Sequence, residues 1–162
     1  HGGDIRVETR QNKGSCFTIY LPPSRSTEEQ AAPGEEAPRT RGHGTLLVID
    51  DDEIILEMVS NVLTNGGYKV LTAASGEAGV DLLRNNPGAI DLVLLDMIMP
   101  GMDGEVTFNA LKEIEPGLAV VLTSGLARAE HCAKLIQRGA KGMISKPYTS
   151  ARLLNDIQRV MG

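Results

Sequence analysis

Residues 89–104, AIDLVLLDMIMPGMDG, constrain the fold of this chain more than any other stretch. An apolar run from Ile90 to Leu95, broken only by Asp91, has the composition of a strand buried on both faces. It stops at an acid, Asp96, shortly before Pro100 and Gly101. The apolar pattern resumes at helical spacing after Asp103 and Gly104, so Asp96 falls where a strand hands over to a helix through a tight loop. In open parallel sheets that edge is where ligands bind. An acid placed there either caps the loop or the next helix, or takes part in chemistry, and the other strand ends bear on which.

The same step recurs along the chain. Short apolar runs at 45–49, 69–73, 118–122 and 142–145 read as further strands. Between them lie helical patterns. Ile54, Ile55, Met58, Val59, Val62 and Leu63 recur until Asn65-Gly66-Gly67; Ala78, Val80, Leu82 and Leu83 follow Ser75-Gly76-Glu77; two more helices span about 105–114 and 129–138. Thr149 or Ser150 caps a last helix with Leu153, Leu154, Ile157 and Val160 inward. Strand and helix alternate five times. This predicts an α/β, doubly wound, flavodoxin-like parallel sheet of order 2-1-3-4-5, with helices on both faces and right-handed crossovers.

Parallel strands bring their C-terminal ends to one edge, and four of those ends carry Asp50/Asp51, Asp96, Ser124 and Lys146. With the first and third strands adjacent, the acids meet at the switch point. Carboxylates about 5 Å apart repel by roughly 3 kcal/mol per pair at an effective dielectric near 20, so either one stays protonated or a cation sits among them. All-oxygen ligation from few protein groups favours Mg²⁺. A carboxylate nucleophile (Asp96), a divalent metal, a lysine (Lys146) and a hydroxyl (Ser124) form a set suited to phosphoryl transfer onto Asp96. Asp50 and Asp51 finish the first strand, whereas Asp52 and Glu53 read as acids favoured at a helix N-terminus.

Val48-Ile49-Asp50-Asp51, the run from Leu94 to Gly104, Leu122-Thr123-Ser124-Gly125 and Ser145-Lys146-Pro147 resemble, in order and spacing, the receiver domain of bacterial two-component response regulators. The resemblance covers residues 44–162. It implies that Asp96 is the phosphoacceptor, that Asp50 and Asp51 are metal acids with Asp51 dominant, and that Ile98 lends its backbone carbonyl to Mg²⁺. It further implies that Ser124 is the switch hydroxyl and Lys146 the phosphate-binding lysine. One position departs from the family pattern: Met143 stands where an aromatic switch residue is common. Ile98 and Leu126, which flank the expected path of a hydrolytic water, are both aliphatic; slow loss of the phosphoryl group is therefore expected.

Upstream, residues 4–10 and 16–21 alternate apolar and polar about Gln11-Asn12-Lys13-Gly14, the pattern of a β-hairpin whose Ile5, Val7, Phe17 and Ile19 need covering. His1-Gly2-Gly3-Asp4-Ile5-Arg6-Val7-Glu8 with residues 13–22 resembles the closing segment of the ATP-binding domain of sensor histidine kinases. The nucleotide-binding boxes of that family are missing, so no ATP binding is expected. The organisation expected is a hairpin remnant at 1–23, a flexible linker at 24–43 and a receiver at 44–162, as in a hybrid sensor histidine kinase. The linker mixes Glu28, Glu29, Glu35 and Glu36 with Arg25, Arg39 and Arg41 and has almost nothing to bury; His43 reads as a solvated bystander.

The partners implied are the phosphohistidine domain of a kinase, in cis or in trans, and a histidine phosphotransfer protein, with dimerisation through the hairpin as a further expectation. Composition points away from other classes. A net charge of −5 and 3% aromatic content argue against nucleic acid, and no apolar run is long enough for a membrane span. Cys16 and Cys132 lack metal-ligand spacing and read as reduced thiols of a cytoplasmic protein. The opening His1-Gly2-Gly3 suggests the interior of a longer protein, and no DNA-binding module follows in this chain. Two rival classes fit the sequence less well. A pure interaction module that takes no phosphate fits poorly with intact acids and Lys146. A small phosphatase with an Asp nucleophile needs a cap for which the chain has no residues.

Overall fold

A computed structural model describes residues 3–10, 14–20, 42–125 and 128–162. The chain divides into two compact units, His1–Arg39 and Thr40–Gly162. Most of the expected linker, residues 11–13 of the expected hairpin turn, and Leu126 lie outside the described residues.

In the first unit β1 (Asp4–Arg10) pairs antiparallel with β2 (Gly14–Tyr20). Ile5 faces Ile19 and Val7 faces Phe17, so the period of two collects four apolar side chains on one face, all exposed. The second strand begins two residues earlier than the alternation suggested. Gly14 and Ser15 join the ladder opposite Arg10 and Thr9, which satisfies backbone groups that a longer turn would leave unpaired.

The second unit is a five-stranded parallel sheet of order β4-β3-β5-β6-β7. Its strands are β3 (Thr45–Ile49), β4 (Lys69–Ala73), β5 (Leu92–Asp96), β6 (Ala119–Ser124) and β7 (Gly142–Ser145). Counted within the unit, the order is the expected 2-1-3-4-5. The intervening helices are α1 (Glu53–Asn65), α2 (Gly76–Asn85), α3 (Gly104–Ile114), α4 (Ala129–Gln137) and α5 (Ser150–Met161).

Strand alternation builds two cores. Leu47, Ile49, Val93, Leu95, Val120 and Leu122 pack with Val80 and Leu83 of α2, Phe108 and Leu111 of α3 and Leu135 of α4. Leu46, Val48, Leu92, Leu94, Val121 and Ile144 pack with Leu56, Val59 and Leu63 of α1 and Leu153 and Ile157 of α5. The helices after β3 and β5 therefore lie on opposite faces, which opens the crevice between those strands.

Three sequence expectations need correction. The inward face of α1 is Leu56, Val59 and Leu63, while Ile54 is 78% exposed and Met58 47%. Apolar residues nearly encircle this helix, and sheet contact rather than periodicity selects the buried stripe. In α2 Ala78 is exposed, and Gly79 takes the inward place beneath Val80 and Leu83. A Cβ at Gly79 would lie 2.3 Å from Ile49 Cδ1, so the missing side chain lets α2 sit close to β3. The fourth strand of the sheet runs to Ser124 rather than ending at Leu122, because β6 is paired on both edges: Thr123 opposite Asp96 and Ser124 opposite Ser145. No helix among the described residues is long and apolar enough to cross a membrane.

Candidate functional site: an acidic pocket at the sheet edge

Asp50 is the first residue beyond β3, its amide still bonded to the Ala73 carbonyl at 3.2 Å. Its Oδ1 accepts the Asp52 amide at 3.1 Å, which leaves Oδ2 to face inward. Asp96, the last residue of β5, is 6% exposed. Asp51 is exposed at the rim. Carboxylate oxygens of Asp50, Asp51 and Asp96 all lie within 4.8 Å of one another. Asp52 is set apart: its Oδ1 accepts the amides of Ile54 at 2.9 Å and Ile55 at 3.4 Å and caps α1. Asp50 and Asp51 thus stand in the turn after the strand, not within it, because the cap at Asp52 already starts the helix.

Lys146 closes the pocket from the far side. Its amide donates to the Ser124 carbonyl at 2.9 Å, which holds the end of β7 against β6. Its Nζ reaches Asp50 Oδ2 at 2.7 Å and Asp96 Oδ1 at 3.1 Å. The Lys146–Pro147 peptide bond is cis. Two carboxylates share one ammonium, and the electrostatics follow. Burial pushes the Asp96 carboxyl above its ordinary range; Lys146 opposes that and the Asp50 charge adds to it. Burial alone would lower the lysine, but the Asp50 hydrogen bond and the charges of Asp96 and Asp50 outweigh it and raise Lys146, so the ammonium stays charged at neutral pH.

The backbone of the loop after Asp96 is tightly held. The Met97 amide donates to the Thr123 carbonyl at 3.0 Å. Gly104 lets α3 begin directly against this loop, where a Cβ would stand 2.6 Å from Met97 Cα and 2.7 Å from the Asp96 carbonyl oxygen. Asp103 caps α3 through the Val106 amide at 3.0 Å.

Of the other expected site residues, Ser124 is fully buried at the end of β6, and its hydroxyl donates to the Gly125 carbonyl at 3.3 Å. The side chain of Ile98 is 53% exposed between two buried methionines, Met97 and Met99. Met143 is half-buried against the core beneath α2, α3 and α4. Two groups near the pocket went unread in the sequence. Thr123 sits opposite Asp96 in register, its hydroxyl 3.5 Å from both Asp96 Oδ1 and the Leu95 carbonyl. The second is Arg128, whose Nη1 donates to the Met97 carbonyl at 3.3 Å. Thr123 could have been found from strand register, since two hydroxyl residues end β6; nothing local marks Arg128.

Three buried or rim carboxylates and a bridging lysine thus form an acidic pocket at the switch point of a doubly wound parallel sheet. Residues 46–158 match the response regulator receiver domain model, and the chain belongs to that family. It is a receiver of the two-component signalling type. It is 33% identical over 117 residues to the chemotaxis protein CheY of Treponema pallidum, covering 72% of this chain and 81% of that protein. Along nearly its whole length it is similar to two sensor kinases: CckA of Brucella abortus (27% identity, 99% of this chain, 18% of CckA) and ArcB of Escherichia coli (30% identity, 98% of this chain, 20% of ArcB). The chain thus spans about a fifth of the length of those kinases. Among solved structures, a receiver domain from Clostridium thermocellum superposes with a TM-score of 0.70 at 31% identity, over 73% of this chain and 94% of that one. A CheX-CheY-BeF3-Mg²⁺ complex from Borrelia burgdorferi gives 0.70 at 29% identity, over 74% and 90%.

Proposed function

We propose that this chain accepts a phosphoryl group on Asp96 as the receiver of a hybrid sensor histidine kinase. The observation that carries the reading is the placement of Asp96: a strand-end carboxylate, 6% exposed, with the Lys146 ammonium 3.1 Å from Oδ1 and two further acids beside it. One carboxylate oxygen of Asp96 attacks the phosphorus of a phosphohistidine. The phosphorus–nitrogen bond breaks, and the imidazole leaves with the electron pair. Lys146, held charged by Asp50, offers its N–H groups to the phosphoryl oxygens as they crowd onto Asp96. Ser124 supplies a hydroxyl donor at the neighbouring strand end.

The donor set fits a hard divalent cation: three carboxylates with oxygens within 4.8 Å and one acid open to solvent. We assign Mg²⁺ to Asp50, Asp51, Asp96 and the Ile98 carbonyl, and the Mg²⁺ in the Borrelia neighbour supports that choice. When bound, the metal neutralises charge on the transferring phosphoryl group.

Similarity to CckA and ArcB from end to end supports the organisation read from the sequence, with a kinase-domain hairpin at 1–23, a linker at 24–43 and the receiver at 44–162. On this reading the donor is the kinase core of the same or another protein, the acceptor a histidine phosphotransfer protein, and the compartment the cytoplasm. Incubating the chain with a radiolabelled, autophosphorylated histidine kinase core tests it. Label moves to wild type within minutes and not to Asp96→Asn; label that stays on the kinase under Mg²⁺ contradicts the reading.

A further inference from the structure

The loop that follows Asp96 is touched by a cation that does not belong to the acidic pocket itself. Arg128 precedes α4, and its Nη1 reaches across to the Met97 carbonyl at 3.3 Å, a contact between residues 31 apart in sequence. The carbonyl it meets is fixed in place, because Met97 is fully buried and its own amide is bonded to Thr123 at 3.0 Å. The guanidinium is therefore held beside the main chain of the residue that follows Asp96.

The charge balance gives that placement a use. Three carboxylates lie within 4.8 Å of one another, and Lys146 is the one cation paired with them among the described residues. A phosphodonor brings further negative charge to this pocket. A guanidinium has five N–H groups in a rigid fork that matches phosphoryl oxygens, and one bond to a carbonyl uses a single arm of it. Arg128 is exposed, so it can turn to an incoming anion with little desolvation cost.

We propose that Arg128 is a phosphodonor-recognition residue: bonded to the carbonyl of Met97, the residue that follows Asp96, it attracts and orients the phosphoryl oxygens of dianionic small acyl phosphates. The inference rests on Asp96 being the phosphoacceptor. With acetyl phosphate, an Asp96 oxygen bonds to phosphorus, the bond from phosphorus to the acetyl oxygen breaks, and acetate leaves with the electron pair; no proton moves. With phosphoramidate the phosphorus–nitrogen bond breaks and ammonia leaves with the hydrogens already on nitrogen. The second donor carries less net negative charge, so the two separate charge recognition from general damage.

The test measures phosphorylation rates of the full chain with each donor, for wild type, Arg128→Gln, Arg128→Lys and Asp96→Asn, across ionic strength. Arg128→Gln is expected to slow the acetyl phosphate reaction about fivefold and the phosphoramidate reaction less than about twofold, with a shallower salt dependence for acetyl phosphate. Arg128→Lys keeps most of the salt dependence. Equal slowing with both donors, or no slowing while wild type reacts and Asp96→Asn does not, overturns the role of Arg128 alone. Wild type that reacts with neither donor, or Asp96→Asn that still reacts, overturns the phosphoacceptor reading and this inference with it.

Discussion

Lys146 and Asp50, 96 residues apart in the chain, meet with Nζ 2.7 Å from Oδ2, and the same ammonium lies 3.1 Å from Asp96. One cation therefore offsets the repulsion of a carboxylate cluster that the fold forces together at its switch point. The contributions of the lysine and of the acids are separable by mutation.

Removing the lysine leaves Asp50 and Asp96 buried without a counter-charge, whereas neutralising Asp96 relieves the repulsion. In urea denaturation without divalent metal, Lys146→Ala is expected to lose about 2 kcal/mol and Asp96→Asn to gain about 1 kcal/mol, values reduced for the partial exposure of the lysine. Changes of the same sign in both variants would contradict the shared-cation account.

Asp51 and Asp52 are neighbours with separate duties. Asp51 stands in the carboxylate cluster, and Asp52 caps α1 through the amides of Ile54 and Ile55. Asp51→Asn should abolish millimolar Mg²⁺ binding with little effect on stability, and Asp52→Ala should cost about 1 kcal/mol with Mg²⁺ affinity retained. Equal loss of Mg²⁺ binding in both variants, read by calorimetric titration, would show the two roles to be merged.

This division also marks how far the chain could be read before folding. The strands were legible because each is a short apolar run closed by Asp, Gly or Pro, and their ends supplied Asp50, Asp96, Ser124 and Lys146 directly. The buried face of α1 was not, since Ile54, Ile55, Met58, Val59 and Val62 present apolar groups nearly all round and only the sheet selects among them. Thr123 depends on register, of which the two hydroxyl residues that end β6 are the trace, whereas Arg128 depends on a contact across 31 residues that leaves no local pattern.

The aliphatic Ile98 is half-exposed two positions beyond Asp96, where a polar side chain could hold a hydrolytic water. Ile98→Asn is expected to speed loss of the phosphoryl group about fivefold, or about 1 kcal/mol of barrier. A decay time course after removal of the donor checks this; an unchanged rate would show that the side chain at position 98 does not govern the hydrolytic water.

Tyr68 links the start of the second unit to its core. It is 4% exposed, and a Cβ at Gly42 would stand 2.1 Å from its ring. Burial raises its phenol above the ordinary value. The folded state then holds a proton that the unfolded chain releases, so stability is level below the unfolded phenol's pKa and falls as pH rises from there through the folded value. Tyr68→Phe should flatten that alkaline decline in denaturation midpoints measured at stepped pH. A decline as steep as wild type would place its cause elsewhere.

The most direct test of the central claim is the intact mass of the chain after incubation with Mg²⁺ and acetyl phosphate. The account predicts a gain of one phosphoryl group in wild type, none in Asp96→Asn, and none when Mg²⁺ is chelated. A phosphoryl gain that persists in Asp96→Asn, or wild type that gains none, would contradict it.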